Sequence, residues 1–145
     1  MRVRLLWPGR TKERWIAEGI AKFEAMINPF AKLEIKEVRD AGGGTPEALK
    51  KEGDALLKAS DGGFILLDER GAQTDSLGFA AMLKDRAKVE FVIGGAYGVS
   101  DEVRERASGS VALSKMTLTH EMARLLLMEQ IYRAMMINTG RGYHH

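Results

Sequence analysis

Val3, Leu5 and Trp7 alternate with Arg2 and Arg4 up to Pro8-Gly9, which predicts a first strand. Trp15, Ile16, Ile20, Phe23, Met26 and Ile27 then recur at helical spacing. Thr11 is a suitable N-cap for that helix, and Asn28-Pro29 stops it. Leu33, Ile35 and Val38 begin a second strand-like stretch, followed by a Gly42-Gly43-Gly44 loop. Thr45-Pro46-Glu47 reads as a helix start with Pro at the first helical position. Leu49, Leu56 and Leu57 lie in that helix, which ends near Asp61-Gly62-Gly63. Phe64-Ile65-Leu66-Leu67 is a continuous apolar run of strand length, bounded by Gly63 and Asp68. Asp75 or Ser76 opens a helix through Phe79, Met82 and Leu83. Val89-Glu90-Phe91-Val92-Ile93 is a second buried-type strand, stopped by Gly94-Gly95. Ser100 caps a helix at Asp101-Glu102-Val103, Val111-Ala112-Leu113 is a short strand, and the longest helical stretch runs from Leu118 to about Asn138.

Strands alternating with helices argue an α/β domain with a mainly parallel sheet and helices on both faces. The 145 residues fit one domain, with a C-terminal tail at about 139–145. A chain of this length buries enough surface to need no disulfide or metal staple. The absence of Cys excludes thiolate zinc sites, iron–sulfur clusters and Cys nucleophiles. No apolar run approaches the roughly 18 residues of a membrane span. The N-terminus is too charged for a signal peptide, so a cytoplasmic location is expected.

The last helix changes the picture. Leu118, Met122, Leu125, Leu126, Leu127, Met128, Ile131, Met135, Met136 and Ile137 occupy nearly every side of it. A helix apolar on several sides is buried on several sides. Either a second copy of the chain covers the extra side, or the helix lies at the centre of one chain. Charge is also unevenly placed. Arg2, Arg4, Arg10, Lys12 and Arg14 stand against Glu13 at the start of the chain, and Lys115, Arg124, Arg133 and Arg141 against Glu121 and Glu129 near its end. The net charge is only +2. The two basic ends form one phosphate-attracting face if the fold joins them, and are otherwise two solvated termini.

Known catalytic signatures are mostly missing. His120-Glu121-Met122-Ala123-Arg124 begins like a zincin motif, but Arg124 stands where the second His belongs. No Walker A sequence and no nucleophile elbow occurs. Gly94-Gly95-Ala96-Tyr97-Gly98 lacks the dinucleotide-binding spacing and follows a late strand. With only His120, His144 and His145 available, no metal site is expected. What remains is three turns at strand ends: Leu67-Asp68-Glu69-Arg70-Gly71, Ile93 to Gly98, and Leu113-Ser114-Lys115-Met116-Thr117-Leu118. Open α/β sheets bind ligands beyond the carboxyl ends of their strands. Each turn taken singly also reads as a plain tight turn.

Phe91 to Gly98, Leu113-Ser114-Lys115-Met116-Thr117-Leu118-Thr119-His120, Glu129-Gln130-Ile131-Tyr132-Arg133-Ala134 and Tyr143-His144 together resemble the ribosomal large subunit methyltransferase H family. These are SPOUT-class, AdoMet-dependent enzymes that methylate N3 of a pseudouridine in 23S rRNA. The resemblance runs along the whole chain. It departs at Thr119, where relatives often have Pro, at Trp7-Pro8-Gly9-Arg10, and at His145, where a terminal Lys is frequent. It implies an α/β fold with a C-terminal trefoil knot, and a homodimer with active sites at its interface. It implies an AdoMet pocket built from Leu67, Gly94, Leu113, Ser114, Lys115, Met116, Thr117 and Leu118, with His120, Arg133, Tyr143 and His144 on the substrate side. It implies 23S rRNA, in the large subunit or the whole ribosome, as partner, and neither membrane nor DNA.

The chemistry so implied is methyl transfer to an imide nitrogen, which is a poor nucleophile until its proton leaves. His120 is a candidate base, and Arg124 and Arg133 are candidates to hold the anion or phosphates. On an ideal helix Arg133 lies roughly opposite His120, so one chain hardly aims both at one pocket. A two-fold interface makes that possible. Simpler roles stay open: Arg133 pairing with Glu129, His120 bonded to backbone at a helix start, and a frayed Gly140–His145 tail. The rival functions are a non-catalytic RNA- or ribosome-binding protein of the same fold, and a SPOUT methyltransferase acting on a ribose 2′-hydroxyl or another base.

Overall fold

A computed structural model describes residues 1–145. The elements are β1 (Arg2–Pro8), α1 (Arg14–Ile27), β2 (Lys32–Val38), α2 (Pro46–Ala59), β3 (Ile65–Gln73), α3 (Ser76–Leu83), β4 (Lys88–Ile93), α4 (Asp101–Arg106), β5 (Gly109–Ala112) and α5 (His120–Asn138). The five strands form one parallel sheet in the order β2-β1-β4-β3-β5. The expected α/β class and parallel sheet are therefore observed.

The middle strands explain the continuous apolar runs. β1 pairs with both β2 and β4, setting Val3 against Val89 and Leu5 against Phe91. Side chains alternate across the sheet, so each middle strand is buried on both faces and mostly apolar, with the paired Arg4 and Glu90 as the buried charged exceptions. On one face Val3, Leu5, Trp7, Phe91 and Ile93 pack against α1, α3 and α5. On the other, Leu6, Leu66 and Val92 pack against Leu56 of α2 and Val103 of α4. The edge strand β2 carries Lys32, Glu34, Lys36 and Glu37, charges that discourage further strand pairing. β3 runs past the expected end at Leu67: it bulges between Leu67 and Ala72, then rejoins β5 at Ala72 and Gln73.

Three sequence expectations need correction. Thr11 does not cap α1; Glu13 occupies the cap position and its side chain makes no cap bond. Glu121, in the first turn of α5, instead anchors the two residues that lead into the helix from across the fold. Its carboxylate accepts from the Lys12 amide at 3.1 Å and the Glu13 amide at 2.9 Å. Trp15, counted on the apolar face of α1, points outward and is 58% exposed. The several apolar sides of α5 are largely covered within one chain, because the helix lies between α1 and α3 against the sheet. Leu127, Met128, Ile131, Ala134, Met135 and Met136 are buried there. Met122, Leu125 and Leu126 keep partial exposure, so a narrower stripe remains for a partner.

Candidate active site

Because every strand is parallel, all five carboxyl ends face one edge of the sheet. The three turns predicted to matter meet there. They enclose a cleft of about 840 Å³ lined by Leu67, Gly94, Leu113, Ser114, Met116, Thr117 and Leu118. His120 and Ala123, from the start of α5, close one side. The turns are tied together: Thr117 Oγ1 donates to Glu69 Oε2 at 2.6 Å, joining the β5–α5 turn to the β3 bulge. Lys115 belongs to the same turn but is exposed and not part of the lining. Its side chain is thus outside the cleft, while its neighbours Ser114 and Met116 line it.

The lining is rich in free main-chain donors. The amides of Ala96, Tyr97, Thr117 and Leu118 meet no protein acceptor, whereas that of Met116 is held by Ser114 Oγ at 3.0 Å. These residues are exposed or half-exposed, so their amides are open to water or to a ligand that brings acceptors. A volume of this size also matches a small-molecule or cofactor site. Gly94 is needed for a reason internal to the loop. A Cβ there would stand 2.8 Å from the Gly98 carbonyl and from Val99. The glycine lets the 94–98 turn fold back on itself, and a side chain would displace that turn before meeting any ligand.

His120 is half-buried, and its ring sits 3.9 Å from Glu121. Burial, and then the neighbouring Arg124 charge, hold the imidazole below its ordinary value, despite the opposing pull of Glu121 and Asp40. It is therefore neutral at pH 7 and able to accept a proton. Burial pushes the Glu121 carboxyl up, but the two amide bonds, His120 and Arg124 bring it below the usual range.

Arg124 does not face the cleft. It is fully buried, donates to the Pro8 carbonyl at 2.8 Å and Thr11 Oγ1 at 3.1 Å, and lies 4.9 Å over the Trp7 ring. It fastens α5 to the end of β1, so the notion that it holds an anionic substrate is withdrawn for this chain.

Arg133, Tyr143 and His144 form a separate cluster further along α5. At about 1.5 Å per residue, Arg133 lies roughly 20 Å from His120. Arg133 pairs with Glu129 at 2.7 Å, as the simpler reading held, but it also meets His144 Nδ1 at 3.2 Å and lies 4.8 Å over the Tyr143 ring. Tyr143 packs edge-on against Tyr132 with ring centroids 4.8 Å apart. The tail is thus docked on its own chain, with its two functional candidates half-buried. Asp68 and Tyr97 lie in turns the sequence pointed to, but were not named as lining side chains, and Arg104 was missed altogether. Nothing in its spacing marks Arg104; α4 brings it to the cleft.

Comparison with known proteins decides the class. A family model described as "Predicted SPOUT methyltransferase" matches residues 1–144. The chain belongs to the SPOUT methyltransferase family. The chain is 46% identical over 153 aligned positions to the ribosomal RNA large subunit methyltransferase H of Geobacter sulfurreducens, covering 100% of both. It is 41% identical over 144 positions to the protein of that name from Thermodesulfovibrio yellowstonii, covering 99% of both. The cleft at the strand ends is the candidate site of this SPOUT methyltransferase, and the second cluster needs a separate account.

Proposed function

We propose that this SPOUT methyltransferase transfers a methyl group from AdoMet to N3 of a pseudouridine in 23S rRNA, in the cytoplasm and on assembled large subunits or ribosomes. The observation that carries the reading is the cleft itself: three strand-end turns, two of them with unpartnered amides, closed by a neutral imidazole. The names of the full-length relatives support an rRNA substrate. AdoMet, when bound, supplies an electrophilic methyl on a sulfonium. Leu67, the Gly94 turn and Leu113 to Leu118 hold it by shape and main-chain contacts. His120 takes the imide proton, which converts N3 into a nucleophile.

The separation of His120 from Arg133, Tyr143 and His144 supports a homodimer. One protomer offers the cleft, and its partner offers the aromatic and cationic cluster against which a nucleobase stacks. Trp15 on α1 and Leu77 on α3, the two helices beside α5, are also exposed apolar side chains available to a second copy.

The test is methyl transfer from tritium-labelled AdoMet to free 23S rRNA, isolated subunits and whole ribosomes. Label is expected in large subunits or ribosomes and scarcely in free RNA. Preference for free RNA would overturn the assembled substrate. Donor binding without transfer to any of them would favour a non-catalytic ribosome-binding protein.

A further inference from the structure

The cleft contains one fixed cation. Arg104, on α4, reaches the wall formed by the 94–98 turn, and its Nη2 would lie 3.9 Å from a Cβ placed at Gly98. Its Nη1 is bonded to Asp68 Oδ2, and no other protein acceptor takes its remaining N–H groups. The side chain is 31% exposed and borders both this cleft and a smaller pocket beside Arg70 and Ser110, so its remaining donors are within reach of solvent or a ligand. Asp68 is 13% exposed and also accepts the Arg70 amide at 3.1 Å. An ionised carboxylate has about four lone-pair sites, so Asp68 retains capacity for another donor. Burial pushes its carboxyl up, but the Arg70 amide and the Arg104 charge hold it below the ordinary range, so it stays ionised.

A guanidinium with a free fork beside an ionised carboxylate with spare lone pairs is complementary to a zwitterion. A ligand with a carboxylate and an ammonium on one carbon satisfies both at once. A structural rivet between α4 and β3 needs only the Arg104–Asp68 bond and leaves the remaining donors without a partner.

We infer that Arg104 and Asp68 bind the α-amino-acid head of the methyl donor, Arg104 taking the carboxylate and Asp68 the ammonium. The inference rests on the AdoMet reading given above. It assigns the cleft's discrimination between whole and truncated donors to two side chains, while the main-chain turns hold the adenosine part. A phosphate of bound RNA is the other anion that Arg104 could serve, and the donor series below separates the two.

The experiment is calorimetric titration of AdoMet, decarboxylated AdoMet and 5′-methylthioadenosine into wild type, Arg104→Gln and Asp68→Asn. Decarboxylated AdoMet lacks only the carboxylate; methylthioadenosine lacks the whole amino-acid head. Wild type is expected to prefer AdoMet over decarboxylated AdoMet by about tenfold to a hundredfold, the range of a charge-assisted fork. In Arg104→Gln that preference should fall to within about twofold, with methylthioadenosine affinity unchanged. Asp68→Asn should weaken AdoMet and decarboxylated AdoMet together, again sparing methylthioadenosine. Arg104→Lys should restore part of the preference, since it keeps the charge without the fork. Equal loss of all three ligands in Arg104→Gln would make the pair a structural rivet and overturn the inference. An unchanged AdoMet preference with weakened ribosome binding would assign Arg104 to RNA phosphate and overturn it too. A wild type that binds none of the three would remove the donor reading itself.

Discussion

Arg124→Met separates architecture from chemistry at α5. The guanidinium is fully buried and holds the Pro8 carbonyl and Thr11 while lying over Trp7. Methionine fills much of the stem volume but donates nothing. The Pro8 carbonyl loses its donor, which costs about 1–3 kcal/mol. The cation–π contact adds about 0.5–2 kcal/mol. Relief from burying a charge, whose Nε has no partner, offsets part of this. The net loss should be about 1–3 kcal/mol for Arg124→Met, and about 3–5 kcal/mol for Arg124→Ala, which also leaves a void. Urea unfolding of both variants measures these values. Methyl transfer is then assayed at low temperature, where Arg124→Met is still folded. Its kcat should stay within about tenfold of wild type, because the side chain does not line the cleft and acts on it only through its charge near His120. Loss of roughly a hundredfold or more in a folded Arg124→Met, the scale of removing a group that stabilises a transition-state charge, would refute the reasoning.

Three further outcomes follow from the same geometry. The kcat/KM of the wild type should be level at neutral pH and fall on the acid side with a midpoint below 6.5, because burial and Arg124 lower the His120 value; a midpoint above 6.5 contradicts this. Glu121 has a folded value below its ordinary 4.5, so its stabilisation is complete above that pH and lost as pH falls through the folded value. Glu121→Gln should lower the melting temperature at pH 7 and flatten the acid dependence seen in wild type by scanning calorimetry. Truncation after Gly142 should leave AdoMet binding and a dimeric mass by light scattering, yet reduce methyl transfer to ribosomes by orders of magnitude; full activity would show that the tail is only an end.

The sheet was legible because burial on both faces of β1 and β4 forces apolar runs such as Leu5-Leu6-Trp7 and Phe91-Val92-Ile93. The caps at Thr45, Asp75, Ser100 and Thr119 were written locally too; the first three were expected from sequence. The start of α1 was not, because the amides of the two residues that lead into it are satisfied by Glu121 more than a hundred residues away. Periodicity also could not show that α5 is enclosed by α1 and α3, since an apolar side looks alike whether its own chain or a second copy covers it. The turns of the cleft were found as strand ends, and the resemblance gave their residues. Arg104 escaped because a lone Arg in a charged helix reads as solvated until α4 folds it against Asp68. Arg133, Tyr143 and His144 were grouped correctly with one another, but the chain keeps them away from its own His120.

The most direct test of the central claim is the identity of the methylated atom. Ribosomes from cells lacking this enzyme are incubated with purified protein and isotopically labelled AdoMet, and the 23S rRNA is digested to nucleosides for mass spectrometry. The account predicts one labelled nucleoside, a pseudouridine carrying the methyl on N3, formed by wild type and lost in His120→Ala. Label on a ribose 2′-hydroxyl or on another base, or no label in any nucleoside, would contradict it.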